Sequence, residues 1–329
     1  MKRRPTRNTQ PVNPQRIGGT FVDYLLSKGH STASVEAERR QLGYFFTWCD
    51  QEGMEPEEAG YRDLLAYVAH LRKNGGAERS RGVKPITMQK YMGTFRHFFA
   101  WQVKTGRRDD NPARDIDIQD IQRKVLQMIL TRQELERNYK SYGTKELKEE
   151  QQAQNWAKAS ALATKRNKAI LGLLVFQGLT SHEVAALTVK SLELRAGKVH
   201  VEGGRRHNGR TLTLEAAQVM DLMEYTLQTR PALLKLGGKG TDALFTSTGK
   251  GSSLNNTLHK LLEQITKLEP KVKTLQQLRA SVITHWIKTL NLREAQHRAG
   301  HRYVSSTEAY LINDLEGLAE DVARFHPIG

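Results

Sequence analysis

A chain of 329 residues is too long for one ordinary domain and sufficient for two, each with its own core. Lys and Arg outnumber Asp and Glu by 51 to 35, a formal net charge of +16, and that balance suits a polyanionic partner such as nucleic acid. The single Cys49 excludes an internal disulfide and a cysteine-based zinc site and fits a reducing cytoplasm; no run of 18 apolar residues offers a membrane span.

The first segment, residues 1–16 (MKRRPTRNTQPVNPQR), carries five basic residues, no acidic ones and no apolar stretch of the kind a signal peptide needs. It reads as a flexible basic arm, there either to touch phosphates or only to keep the chain soluble. Residues 17–110 read as helices. From Ser31 or Thr32, apolar positions recur at Val35, Leu42, Phe45, Phe46 and Cys49, one helical face behind a hydroxyl residue placed to cap it. A second helix carries Leu64, Leu65, Tyr67, Val68 and Leu71. After a Gly- and Arg-rich loop, a third starts near Pro85 or Thr87 and places Met88, Tyr91, Met92, Phe95, Phe98, Phe99 and Gln102 at spacings of three and four. Its other face holds Lys90, Arg96, His97 and Lys104: either a solvated face or a DNA-contacting one.

Gly106 can stop that helix, and Pro112 holds Asn111 extended. The polar segment 111–124 therefore reads as an interdomain linker. Beyond it, 125–329 mixes helices with a few strands. Thr131–Leu135 looks like a helix start, Lys140–Ala163 a solvated helical insertion, and Arg166–Phe176 an apolar helix. Val199–Val201 and Thr211–Leu214 read as the strands of a basic hairpin around Gly203-Gly204-Arg205-Arg206-His207-Asn208-Gly209. Arg210, at the hairpin's end, is expected to contact DNA with Arg206. Helices follow from Glu215, from Ser253, over Leu275–Leu290 and over Leu292–His297. His182 and His207 read as incidental. No Asp, Glu or His cluster shows metal-ligand spacing.

Four motifs follow one another in the second half. Gln177-Gly178-Leu179-Thr180-Ser181-His182-Glu183-Val184 comes first, then the basic hairpin, then Gln276-Gln277-Leu278-Arg279, then Ala299-Gly300-His301 with Thr307-Glu308-Ala309-Tyr310. In this order they resemble the tyrosine recombinase (phage integrase) family, whose pattern is T-G-L-R-x-S-E-L, a hairpin with a Lys, H-x-L-R, and L-G-H followed by T-x-x-Y. The His301-to-Tyr310 interval of nine residues matches the family's.

The resemblance implies a fold that is mainly α with a small β-hairpin: a helical, SAM-like core-binding domain and a mixed α/β catalytic domain, together a clamp on duplex DNA. It implies DNA cleavage and rejoining through a 3′-phosphotyrosine, which stores the bond energy and needs neither ATP nor metal. Tyr310 matches the nucleophile, Arg279 the second Arg, His301 the late His, and Glu183 the acid after the first Arg. The departures are Thr180 in the place of the first Arg, Gln276 in that of the His, and Arg205 or Arg206 in that of the Lys. A phosphodiester gaining charge in its transition state needs fixed cations; Thr180 offers a hydroxyl, and Arg is a poor proton donor. The amphipathic residues after Tyr310 are expected to pack on a neighbouring protomer, for assembly on DNA as a dimer to tetramer. A second recombinase or an accessory DNA-bending protein fits the same picture. The expected function is site-specific recombination, of a mobile element in a prokaryotic cytoplasm, or, on the same fold, a regulator or partner subunit with impaired catalysis.

Overall fold

The computed structural model describes residues 19–74, 82–120, 128–143, 155–204, 207–237, 240–247 and 254–311. They fall into two compact units divided between residues 125 and 126.

The first unit is helical: α1 (Gly19–Ser27), α2 (Thr32–Glu52), α3 (Tyr61–Asn74) and α4 (Pro85–Lys104). Helix α2 starts where its chemistry says. The Ser31 hydroxyl accepts from the Ser34 N–H, and Gly53 ends the helix at φ +71°. Helix α4 opens on Pro85, whose missing N–H costs nothing in the first turn. The apolar stripes of α2, α3 and α4 bury Phe45, Phe46, Leu64, Tyr67, Phe95 and Phe99 in one core. The expected linker does not begin at Asn111. Arg96 Nε donates to the Ala113 carbonyl (3.1 Å) and Nη2 to the Ile116 carbonyl (2.6 Å). Ala113, Ile116 and Ile118 are buried in the first unit's core, so the segment through Ile118 belongs to that unit.

In the second unit, α5 (Arg132–Ser141) starts from a capping box between Thr131 and Glu134. Helix α6 (Asn155–Val175) begins well before the expected Arg166; residues 144–154 of the expected insertion lie outside the described residues. Helix α7 (Ser181–Ala186) leads into an antiparallel sheet, β1 (Leu192–Glu193), β2 (Lys198–Val201) and β3 (Arg210–Thr213), in the order β1-β2-β3. The first strand had no sequence signal. The register pairs Val199 with Leu212 and Val201 with Arg210. Val199, Val201, Leu212 and Arg210 therefore share the inward face. Helices α8 (Ala216–Glu224), α9 (Arg230–Gly237) and α10 (Asn255–Leu268) follow, then α11 (Leu275–Thr289), α12 (Leu292–Ala299) and the single turn α13 (Ser305–Glu308). The core is chiefly Leu, Ile and Val from α6, the sheet, α10 and α11.

Candidate active site

Three local devices bring the motif residues together. Thr274 caps α11 by accepting from the Gln277 N–H, which sets Gln276 and Arg279 in the first turns of that helix. Asn291 caps α12 in the same way. Gly300 ends α12 at φ +69° and turns the chain into His301. A side chain there would be strained: a Cβ on Gly300 would sit 2.5 Å from an Arg210 guanidinium nitrogen and 3.1 Å from the Asn208 carbonyl oxygen.

Arg279 is the centre. Its Nη1 donates to the Gly178 carbonyl (2.6 Å), and its Nη2 to the Ala299 carbonyl (2.7 Å) and His301 Nε2 (3.2 Å). One guanidinium thus ties the first motif to the last. Because Arg can only donate, His301 Nε2 must accept, and the ring proton is assigned to Nδ1. That proton goes to the Thr307 hydroxyl (2.9 Å). Burial, then the charges of Arg279 and Arg210, push the His301 pKa down to about 4, so its imidazole is neutral at physiological pH. The Tyr310 ring lies nearly parallel to the His301 ring, centroids 5.8 Å apart. Gln276 Nε2 donates to the Tyr310 phenol oxygen at 3.3 Å.

Behind Arg279 sits a buried carboxylate. Glu183 Oε1 takes Arg210 Nη1 at 2.6 Å, and Oε2 lies 3.6 Å from Arg279 Nη1. The Arg210 and Glu183 side chains are 0% and 3% exposed. Burial works against the Glu183 charge, but the Arg210 hydrogen bond and charge, the Thr180 N–H and Arg279 outweigh it and hold the pKa down to about 2. Two guanidiniums and one carboxylate leave this buried network with a net positive charge.

The structure therefore gathers Tyr310, Arg279, His301 and Gln276. It gives Thr180 another task. Its hydroxyl accepts from the Glu183 N–H and donates to Glu183 Oε2, while Glu183 returns to the Thr180 N–H. This is a reciprocal capping box at the start of α7, and the hydroxyl is committed to it. Arg210 is corrected too: rather than reaching outward to DNA, it is buried on Glu183 and donates to the Arg298 carbonyl (2.6 Å). Arg96, expected on a DNA-facing surface, holds Ala113, Ile116 and Asp117. Lys90 and Lys104 are exposed on α4. Arg205, Arg206 and the tail after Leu311 lie outside the described residues. The residues flanking the pair are at the site. His207 bridges to His301, and the Asn208 N–H donates to the Gly300 carbonyl. His207 is thus not incidental in position. Thr307, which fixes the His301 tautomer, was missed by the sequence reading, though its signal was the Thr of T-x-x-Y.

A phenol beside a buried guanidinium, a neutral imidazole and an amide donor is an arrangement that can support nucleophilic attack on a phosphodiester. The comparisons with known families bear on the fold. The phage integrase family matches residues 145–316, and the phage integrase N-terminal SAM-like domain matches residues 19–106. The chain belongs to the phage integrase family, the tyrosine recombinases. Among its relatives is the tyrosine recombinase XerD of Listeria innocua serovar 6a, 25% identical over 313 residues, which cover 93% of this chain and 97% of the relative. The tyrosine recombinase XerC of Xanthomonas campestris pv. campestris is 25% identical over 331 residues, covering 98% and 92%. Of solved structures, the XerH site-specific recombinase in a post-cleavage complex with palindromic difH substrate aligns with a TM-score of 0.65 at 18% identity, over 92% of this chain and 83% of that one. The Tn1549 transposon integrase in complex with circular intermediate DNA aligns at 0.59 and 15% identity, over 88% and 93%. These two likenesses establish the fold.

Proposed function

We propose that this protein is an active site-specific recombinase that cleaves and rejoins duplex DNA through a 3′-phosphotyrosine on Tyr310. The observation that carries the reading is the assembly of Tyr310, Gln276, Arg279 and His301 around one buried, positively charged network. In the reaction the Tyr310 oxygen bonds to phosphorus and the 5′ oxygen of the next nucleotide leaves. The phenol proton is lost and the leaving oxygen gains one. Arg279 stabilises the charge that builds on the non-bridging oxygens. Attack by the freed 5′ hydroxyl of another strand reverses the step and regenerates Tyr310. The relatives carry recombinase names and two of the aligned structures hold DNA, which supports duplex DNA as substrate.

In the same reading, the first unit, extended through Ile118, is the core-binding domain and 125–329 the catalytic domain. Lys90, Lys104 and Arg206 serve DNA contact, Arg205 stands in the hairpin's catalytic Lys slot, and 1–16 is a basic arm. The residues after Tyr310 link protomers, dimer to tetramer, on DNA in a prokaryotic cytoplasm. A mobile element is the setting we favour. A second reading, a DNA-binding regulator or a subunit that cleaves only beside a complete partner, draws on one observation: the Thr180 hydroxyl is tied up in its helix cap and contributes no charge.

The test begins with duplexes selected for binding from a random pool. Affinity is expected to fall steeply between low and physiological salt, because phosphate contacts release counterions; a salt-insensitive affinity would contradict phosphate-led binding. The selected duplex, nicked beside the cleaved phosphate, is expected to accumulate covalent protein–DNA adducts. Tyr310→Phe should abolish them and keep affinity within a few-fold, since only the nucleophilic oxygen is lost. Adducts persisting in the Phe variant would place the nucleophile elsewhere. Their absence from the unaltered protein on its selected target would favour the regulator.

A further inference from the structure

Away from the recombinase site, in the first unit, three side chains from separate segments meet around one carboxylate. His30 stands in the turn between α1 and α2, Glu38 in α2 and His97 in α4. His30 Nδ1 lies 3.1 Å from Glu38 Oε1 and His97 Nδ1 lies 3.0 Å from Glu38 Oε2. The two imidazoles stand edge to face, centroids 4.8 Å apart. The three prospective ligand atoms all lie within 4.8 Å of one another. Sequence spacing alone did not reveal this, because the separations of 8 and 59 residues follow no ligand motif.

We propose that His30, Glu38 and His97 form a binding site for a divalent transition-metal ion, Zn²⁺ by its donor set. Two imidazole nitrogens and a carboxylate are borderline ligands of the kind Zn²⁺ takes at about 2.0–2.2 Å. Ligand atoms at that distance from a tetrahedral ion stand roughly 3.3 Å from each other, close to the nitrogen–oxygen separations here. Each imidazole can give up its Nδ1 proton by moving to the Nε2 tautomer, so ligation needs no strongly basic group. Glu38 supplies one negative charge against the ion's two. His97, 44% exposed, leaves the fourth position open to water, whereas Glu38 at 12% and His30 at 23% are the sheltered ligands. The ion would staple the α1–α2 turn and α2 onto α4, the helix that carries Lys90 and Lys104. It plays no part in the Tyr310 chemistry and does not depend on the function proposed above.

The rival account is a plain hydrogen-bonded triad, two neutral imidazoles donating to one carboxylate. The full-length protein, stripped with a chelator, separates the two. Titration with Co²⁺ should yield the intense visible bands of a four-coordinate ion at one ion per chain, and Zn²⁺ should bleach them. Calorimetry with Zn²⁺ should show one saturable site of micromolar affinity or tighter, and the melting temperature should climb with Zn²⁺ concentration. His97→Ala and Glu38→Gln should each weaken Zn²⁺ binding about 100-fold or more, beyond the upper end of what losing an outer-sphere partner costs. Glu38→Gln keeps size and a hydrogen-bonding oxygen, so it reads the site even if His97→Ala does not fold. No saturable binding, or binding equal in both variants, would overturn the proposal and leave the triad as hydrogen bonds only.

Discussion

The core of the first unit is a cluster of tilted and edge-to-face rings, with Phe45 4.8 Å from Phe95 and 5.1 Å from Tyr67 by centroid. Among its described residues, the buried polar side chains are Thr94 and Gln102, neither of them charged. The second unit has a mainly aliphatic core and buries Arg166, Glu183, Arg210 and Arg279. Burying charge is costly unless it is paired and hydrogen-bonded. A unit that only folds and lies against DNA has no reason to bear that cost. A unit that must hold a cation rigid beneath a phosphate does, because the charge has to be in place before the transition state forms. Arg166 marks the limit of this argument. It is buried, but it donates to the Thr246 carbonyl and to Asn167, so it holds a chain segment and does not replace the cation missing at position 180.

The largest expected effect comes from breaking the second unit's charge network. Arg210→Ala strips Glu183 of its 2.6 Å partner and leaves a carboxylate buried without it, a loss on the order of 3–5 kcal/mol. Exchange of α7 and α12 amides should accelerate while α2 and α4 stay protected; equal loosening of both units would mean that Arg210 is not specific to this network. Acid should act on the same place. Glu183 has a depressed pKa of about 2 in the folded chain against an ordinary value near 4.5, so its stabilisation is full above about 4.5 and fades as pH falls toward 2. His301, depressed to about 4 from near 6.5, is protonated earlier in the unfolded chain, so its contribution fades from about 6.5 down to 4. Acid unfolding should start in the second unit, and Arg210→Ala should move it to higher pH.

Thr180→Arg tests whether that network already carries enough charge. One preorganised donor is worth about 2.7–4 kcal/mol, roughly 10²–10³ in rate. The substitution also removes the hydroxyl of the α7 cap, at a cost of about 1 kcal/mol of stability. We expect adduct formation to rise by the larger factor, since the two other guanidiniums next to Glu183 are buried and already hydrogen-bonded to backbone carbonyls and, for Arg210, to Glu183. An unchanged or lower yield would assign the missing charge to Arg205 or Arg206.

How much of this was legible in the sequence varies with the range of the interaction involved. Helices α2, α3 and α4 could be read because their apolar spacing and caps are local. That Tyr310, His301 and Arg279 would meet could be read because motif order and spacing encode it. Arg210 was misplaced by one residue of strand register. Starting the strand at Thr211 leaves Arg210 in the turn; pairing it with Val201 sends it inward. Thr180-Ser181-His182-Glu183 reads as a capping box in its own right, but matching it to the family's Arg slot drew attention from that local role. The network around Glu183 and the His30–Glu38–His97 cluster depend on packing between distant segments, which no short pattern records.

The smallest expected effect lies in the aromatic core and tests the other half of the comparison. Gln102 in α4 is fully buried, and among the described residues neither its Nε2 nor its Oε1 has a hydrogen-bond partner. An unsatisfied buried amide costs about 1–3 kcal/mol. If the first unit has no use for buried polarity, Gln102→Met, which keeps the length and flexibility of the side chain, should stabilise it by about 1 kcal/mol. The denaturation midpoint followed at α2 and α4 amides should rise with an unchanged slope. DNA affinity should not move, because the residue is shielded from any ligand. The substitution adds a flexible thioether where an amide stood, so overpacking is a minor risk. A lower midpoint would mean that the amide is satisfied in solution, by a buried water with two or more polar partners, and that the first unit also relies on internal polarity.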